Sequence, residues 1–125
     1  MADRLWWIMA ALSGALMVVM GAWGAHGLTE QLTPRLLEGY QTGVRYQAWH
    51  TLAILAVLAW RAARPLAGQR LILTLWALGM LLFSGSLYGL ALSELAWLGP
   101  ITPLGGILLI AGWLSLAGSL LFARR

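Results

Sequence analysis

The 125-residue chain is 61% hydrophobic and only 10% charged, and it contains no cysteine. A soluble domain carries about 25% charged residues, and a fold of this size cannot bury so much apolar surface, so the composition excludes a soluble enzyme domain and a disordered chain. All eight basic residues are arginines that separate apolar segments, which is typical of a membrane protein rather than of a nucleic-acid-binding protein.

Four apolar segments follow one another along the chain, at about residues 5–25, 44–60, 71–92 and 104–123. Because about 20 helical residues cross a hydrocarbon core of roughly 30 Å, these segments predict an all-α fold, a transmembrane four-helix bundle that forms a single integral membrane domain over residues 1–125. The first segment is longer than the apolar core of a signal peptide, so we expect it to be retained as a span.

A short amphipathic helix is predicted between the first two spans, at residues 34–42. Thr33 can cap the free amides of a helix, and Pro34 suits the first helical position. The segment has apolar residues on one side and is expected to lie at the membrane surface, where it leads into the second span. Gly39 and Gly43 permit a bend at this point.

The arginines predict the orientation in a bacterial inner membrane. With four spans, six arginines lie on one side and two on the other, since the first side holds Arg4, Arg61, Arg64, Arg70, Arg124 and Arg125, and the second holds Arg35 and Arg45. Positive residues favour the cytoplasmic side, so both termini are expected in the cytoplasm. Arg61 is expected to lie in a solvated loop and to act only as a topological signal.

Polar residues are expected to form a layer in the outer half of the membrane. On a helical projection of the second span, one face carries Thr42, Arg45, Tyr46, Trp49 and His50, and the opposite face carries Val44, Ala48, Leu52 and Leu55, which suit lipid. The inner halves of the helices are almost purely apolar. The resulting candidate polar cluster or ligand site consists of His26, Arg45, Tyr46, His50, Ser84, Tyr88 and Thr102.

Two interpretations of this cluster remain open. It forms either a hydrogen-bonded network that locks the helices together or a small polar pocket that opens to the outer leaflet. Arg45 should not face lipid alone, because a charge inside the membrane is costly. Its expected partners are Glu38, the Ser84–Tyr88 face of the third helix, carbonyl groups near Pro103, or an ordered water or lipid headgroup.

The sequence gives no signature of a cofactor, a metal site or a catalytic centre. His26 and His50 are predicted to lie at different depths, which does not suit a haem, and no cysteine or carboxylate lies at ligand spacing. Asp3 is expected on the opposite side of the membrane from both histidines, so no Ser-His-Asp arrangement is predicted. We therefore expect no cofactor and no catalytic residue.

Four motifs resemble those of the YgdD-type family of small bacterial inner-membrane proteins. They are Gly21-Ala-Trp-Gly-Ala-His-Gly27, Thr42-Gly-Val-Arg-Tyr-Gln-Ala-Trp-His50, Phe83-Ser-Gly-Ser-Leu-Tyr88, and Ile101-Thr-Pro-Leu-Gly-Gly106 followed by Gly112-Trp113. Together they cover essentially the whole chain. Trp23, where the family usually has Phe, and Trp49 depart mildly from the pattern. The resemblance implies four transmembrane helices and supplies no activity.

The sequence favours a non-enzymatic packing, assembly or accessory protein that contacts the lipid bilayer and a larger membrane complex or a second copy of itself, without nucleic acid. The alternative is a protein that binds a lipid, quinone or other amphiphile in the outer polar pocket. A proton-coupled exporter is disfavoured, because none of the four apolar segments contains a carboxylate.

Overall fold

Four α-helices build the protein in a computed structural model that describes residues 3–122. They are α1 (Arg4–His26), α2 (Pro34–Ala63), α3 (Gln69–Ser93) and α4 (Ile101–Leu121), and a single 3₁₀ turn, Ala96–Leu98, precedes α4. Within the described residues there is no strand, which confirms the all-helical prediction. Ala123, Arg124 and Arg125, which entered the predicted fourth span and the arginine count, lie outside the described residues.

Three helical segments are long and apolar enough to cross a membrane, namely Arg4–His26, Gln69–Ser93 and Ala96–Leu121. Helix α2 is the longest helix, with 30 residues. Its hydropathy is lower because it carries polar side chains such as Gln47 and His50, both of which are buried among the other helices.

The predicted amphipathic segment 34–42 is helical, and it forms one continuous helix, α2, with the segment predicted as the second span. The hydroxyl of Thr33 accepts a hydrogen bond from the Leu36 amide at 3.3 Å, and Pro34 is the first helical residue, as predicted. Gly39 and Gly43 do not break the helix. Instead, Gly43 is buried where α2 meets the side chains of Leu87 and Tyr88.

The helices pack in chain order, α1 on α2, α2 on α3 and α3 on α4. In the described part of the chain, α1 does not approach the backbone of α3 or α4, so the arrangement is more open than a closed four-helix bundle. Helix α1 is consequently the least covered, and Ala10 and Gly24 are its buried residues.

The larger apolar core lies between α2, α3 and α4. Its buried members include Ile54, Leu58, Ile72, Leu73, Trp76 and Leu109. Glycines allow this close packing: a side chain at Gly105 would overlap the α3 backbone at Phe83, and one at Gly112 would overlap the indole of Trp76. Small residues that let helices approach closely are typical of membrane proteins.

The ends of α3 depend on two left-handed residues and one buried side chain. Gly68 precedes the helix with φ 92°, and Glu94 ends it with φ 56°. Gln69 is fully buried, accepts a hydrogen bond from the Leu66 amide at 2.9 Å and donates one to the Arg64 carbonyl at 3.1 Å. This side chain fixes the loop between α2 and α3.

Candidate functional site

A hydrogen-bonded network connects α1, α2 and α3, with Gln47 at its centre. The Gln47 amide nitrogen donates to the Ser13 carbonyl at 3.0 Å and to the Ser13 hydroxyl at 3.2 Å. Its Oε1 accepts a 2.6 Å hydrogen bond from the Tyr88 hydroxyl. The hydroxyls of Ser13 and Thr51 share a further hydrogen bond of 2.7 Å. We call Ser13, Gln47, Thr51 and Tyr88 the central network.

The central network lies about halfway along α1 and α2. Ser13 is about 14 Å from the first residue of α1, given a rise of 1.5 Å per residue. A polar group at this depth has no water to bond with and is costly without a protein partner. The four side chains satisfy one another, and the Ser84 hydroxyl nearby donates to the Gly43 carbonyl at 2.7 Å. The network therefore holds three helices together.

An aromatic cluster next to the central network surrounds His50. The indole nitrogen of Trp113 donates to His50 Nε2 at 3.0 Å, while His50 Nδ1 lies 2.8 Å from the Tyr46 carbonyl. Since an indole N–H can only donate, this geometry fits a neutral ring with its hydrogen on Nδ1. The ring centroids of Trp76 and Trp113 are 4.5 Å apart. Trp113 thus links α4 to α2, whose backbones do not meet.

Two smaller contacts join the helices near the end of the molecule that carries the α1–α2 and α3–α4 connections. The hydroxyls of Ser86 and Thr102 are hydrogen-bonded to each other and join α3 to α4. The buried Tyr40 donates from its hydroxyl to the Met20 carbonyl at 2.6 Å, and joins α2 to α1. Gly24 is needed here, because a side chain at this position would overlap the Tyr40 ring.

The seven residues of the predicted cluster do not converge on one site. Ser84 and Tyr88 lie at the central network, Tyr46 and His50 belong to the aromatic cluster, and Thr102 bonds to Ser86 on the far side of α3. His26 is exposed at the end of α1, where its carbonyl accepts a hydrogen bond from Thr29. Five of the seven residues take part in contacts between helices, whereas His26 and Arg45 are exposed.

Arg45 contacts none of its expected protein partners, which leaves an ordered water or a lipid headgroup among the expected alternatives. Its side chain is exposed, and within residues 3–122 it makes no hydrogen bond or ion pair with Glu38, Ser84 or Tyr88. The inward face of α2 is rotated from the predicted stripe and runs through Tyr40, Gly43, Gln47, His50, Thr51 and Ile54. The physical reason is that α2 has neighbours on two sides, and its small and hydrogen-bonding residues turn towards both.

The expected role of Arg61 is also corrected. Arg61 is helical rather than in a loop, and its Nε donates to Asp3 Oδ2 at 2.7 Å. Both side chains are mostly buried, with 17% and 23% exposed. This ion pair joins the start of α1 to the end of α2.

Ser13, Gln47, Thr51 and Trp113 were not among the predicted site residues. The sequence does carry a signal for two of them, because Gly43, Gln47 and Thr51 recur every four residues on one helical face. Ser13 carried no such signal, because a single hydroxyl in an apolar helix is equally consistent with an isolated surface position.

A groove of about 320 Å³ lies between α1 and α3, and side chains of the central network form part of its lining. Its walls include Leu12, Leu16 and Leu81, and its floor includes Gln47 and Tyr88. The polar atoms of the floor are already hydrogen-bonded within the protein. In the described part of the chain, no group of three or more His, Asp or Glu side chains could hold a metal ion.

Comparison with known proteins identifies the family. The model of a family described as protein of unknown function (DUF423) matches residues 20–106. A UPF0382 membrane protein of Haemophilus influenzae is 47% identical over 109 residues, covering 87% of each chain. The UPF0382 inner membrane protein YgdD of Escherichia coli K12 is 42% identical over an alignment covering 100% of this chain and 96% of the relative.

A more distant UPF0382 membrane protein, from Staphylococcus haemolyticus, is 40% identical over 90% of this chain and 92% of the relative. No solved structure matches significantly. The relatives are named as membrane proteins, and their names state no activity. The chain belongs to the UPF0382 (DUF423) family of membrane proteins of unknown function.

Proposed function

We propose that this protein is a non-enzymatic accessory protein that packs against another transmembrane component and assists its assembly. The observation that carries this proposal is the use of the interior polar groups. Gln47, Tyr88 and Ser13 bond to one another, and both ring nitrogens of His50 have protein partners. A catalytic centre needs a reactive group that is free to meet a substrate in a cleft, and this interior is occupied by contacts between helices.

The groove between α1 and α3 is the surface best suited to a partner. Its walls are apolar, and Leu81 is 68% exposed. A side chain added at Gly85, which also lines the groove, would meet nothing within 4 Å. Small residues on an open face let a neighbouring helix approach closely. The open packing of α1 supports a partner that completes the bundle at this position.

The proposal includes four spans with both termini in the cytoplasm. Contacts between α1 and α2 support the crossing of α2, because they run in antiparallel order along both helices: Tyr40 bonds to Met20, Gln47 to Ser13, and Arg61 to Asp3. Helix α2 therefore extends over the same thickness as α1. The count of arginines supports the orientation.

Site-specific photo-crosslinking in native membranes tests the packing role. A photo-reactive residue at Leu81 samples the groove, and one at Leu114, 67% exposed on α4, is a control of matched exposure. We expect a discrete protein adduct from Leu81 and only lipid adducts from Leu114. Lipid adducts alone from both positions would contradict a protein partner in the groove.

Cysteine labelling tests the topology, since the chain has no native cysteine. Ala67 and Gln31 are exposed residues in loops at opposite ends of the molecule. We expect a membrane-impermeant thiol reagent to label Gln31→Cys in intact cells and Ala67→Cys only after permeabilisation. The reverse pattern would refute the orientation, and labelling of both positions in intact cells would refute an odd number of spans between them.

A further inference from the structure

A shallow cleft of about 280 Å³ lies between α1 and α2 beside Arg45. It is lined by Gly21, Gly24, Tyr40, Gln41, Val44 and Arg45. We propose that this cleft binds the phosphodiester group of a membrane phospholipid in the outer leaflet. The proposal rests on the four-span arrangement proposed above, which the cysteine labelling tests separately.

The charge of Arg45 points to a partner from outside the described chain. Its side chain is exposed, and it makes no ion pair or hydrogen bond with residues 3–122. An unpaired charge in contact with hydrocarbon is expensive, so an arginine there takes a partner or reaches the interface. A guanidinium matches phosphate oxygens well, because its planar fork donates two parallel hydrogen bonds.

The depth of the cleft fits a lipid headgroup. Gly21 faces Val44, the neighbour of Arg45, and lies five residues before His26 at the end of α1. Gln47, two residues after Arg45, bonds to Ser13 about 20 Å below the outer end of α1, so Arg45 lies between about 8 and 20 Å below that end, given the rise of a helix. From this level its side chain can extend outwards to the headgroup layer.

The shape and charge of the cleft favour a phosphodiester monoanion. Gly21 and Gly24 keep the α1 wall of the cleft free of side chains. Gln41, one turn from Arg45, is half-buried, and its side chain makes no hydrogen bond within residues 3–122. One cation and one amide donor suit a single negative charge better than a dianion. Small-molecule pockets occupy about 300–1,000 Å³, so this cleft fits a headgroup rather than a whole lipid.

Native mass spectrometry of the delipidated full-length protein in detergent tests the proposal with phosphatidylglycerol as the probe. We expect one saturable lipid on the parent protein. Arg45→Gln should bind it about tenfold less tightly, which corresponds to a single charge-assisted hydrogen-bonding group. Gly21→Leu, which fills the cleft and keeps the charge, should weaken binding similarly. Arg35→Gln, at the outer end of the same helix and outside this cleft, should bind as the parent does.

Diacylglycerol with the same chains and inorganic phosphate distinguish the source of the phosphate. We expect no saturable binding of diacylglycerol, and no displacement of the lipid by equimolar inorganic phosphate. Unchanged lipid binding by folded Arg45→Gln and Gly21→Leu would overturn the proposal, as would equal binding of diacylglycerol or displacement by inorganic phosphate. The diacylglycerol and inorganic phosphate measurements use the parent protein, so they test the proposal even if a variant does not fold.

Discussion

The crossing of α3 and α4 predicts that Gly105→Ala destabilises the protein. The new methyl group would overlap the Phe83 amide nitrogen, and it would lie 2.8 Å from Phe83 Cα and 2.9 Å from the Leu82 carbonyl carbon. All three atoms belong to the backbone, so the helices must move apart instead of a side chain rotating. Overpacking of this kind costs about 1–3 kcal/mol.

Gly118→Ala is the matched control on the same helix, because a methyl group there meets nothing within 4 Å. Both variants gain up to about 1 kcal/mol from the higher helix propensity of alanine. The difference between them therefore isolates the overlap at Gly105, about 1–3 kcal/mol.

The free energies of unfolding can be compared by denaturant titration of the three proteins in the same detergent, followed by tryptophan fluorescence and circular dichroism. We expect Gly105→Ala to unfold at lower denaturant than the parent, and Gly118→Ala at the same or higher denaturant. Equal midpoints for the two variants would refute the close backbone approach of α3 and α4.

Two further predictions concern polar contacts between helices. Tyr88→Phe leaves the Gln47 oxygen without its donor and should lower the free energy of unfolding by about 1 kcal/mol. Tyr46→Phe is the control and should change the free energy of unfolding little, because the Tyr46 hydroxyl makes no hydrogen bond within residues 3–122. The same detergent titration measures both, and equal effects would contradict the central network. A double-mutant cycle of Asp3→Asn and Arg61→Gln should give a coupling of about 0.5–1 kcal/mol for the partly buried ion pair. Strictly additive effects would show that the ion pair contributes nothing to stability.

The sequence by itself determined the membrane class, the all-helical fold and the start of α2. These features depend on local properties that one chain displays directly, such as runs of apolar residues without charge and the Thr33-Pro34 helix start. The same holds for the family, because its four motifs extend over the whole length of the chain.

The tertiary structure alone decided which face of α2 is buried. Projection of one helix assumes a single buried side, whereas α2 packs against α1 and α3 at once. Within the predicted stripe, Arg45 and Trp49 are therefore exposed, while Gln47 outside the stripe is buried. The pairing of Arg61 with Asp3 and of His50 with Trp113 depends on which helices are neighbours and at what level their residues meet. These pairs join residues that are far apart in the chain. Their geometry depends on how the helices pack, which a local sequence pattern does not predict.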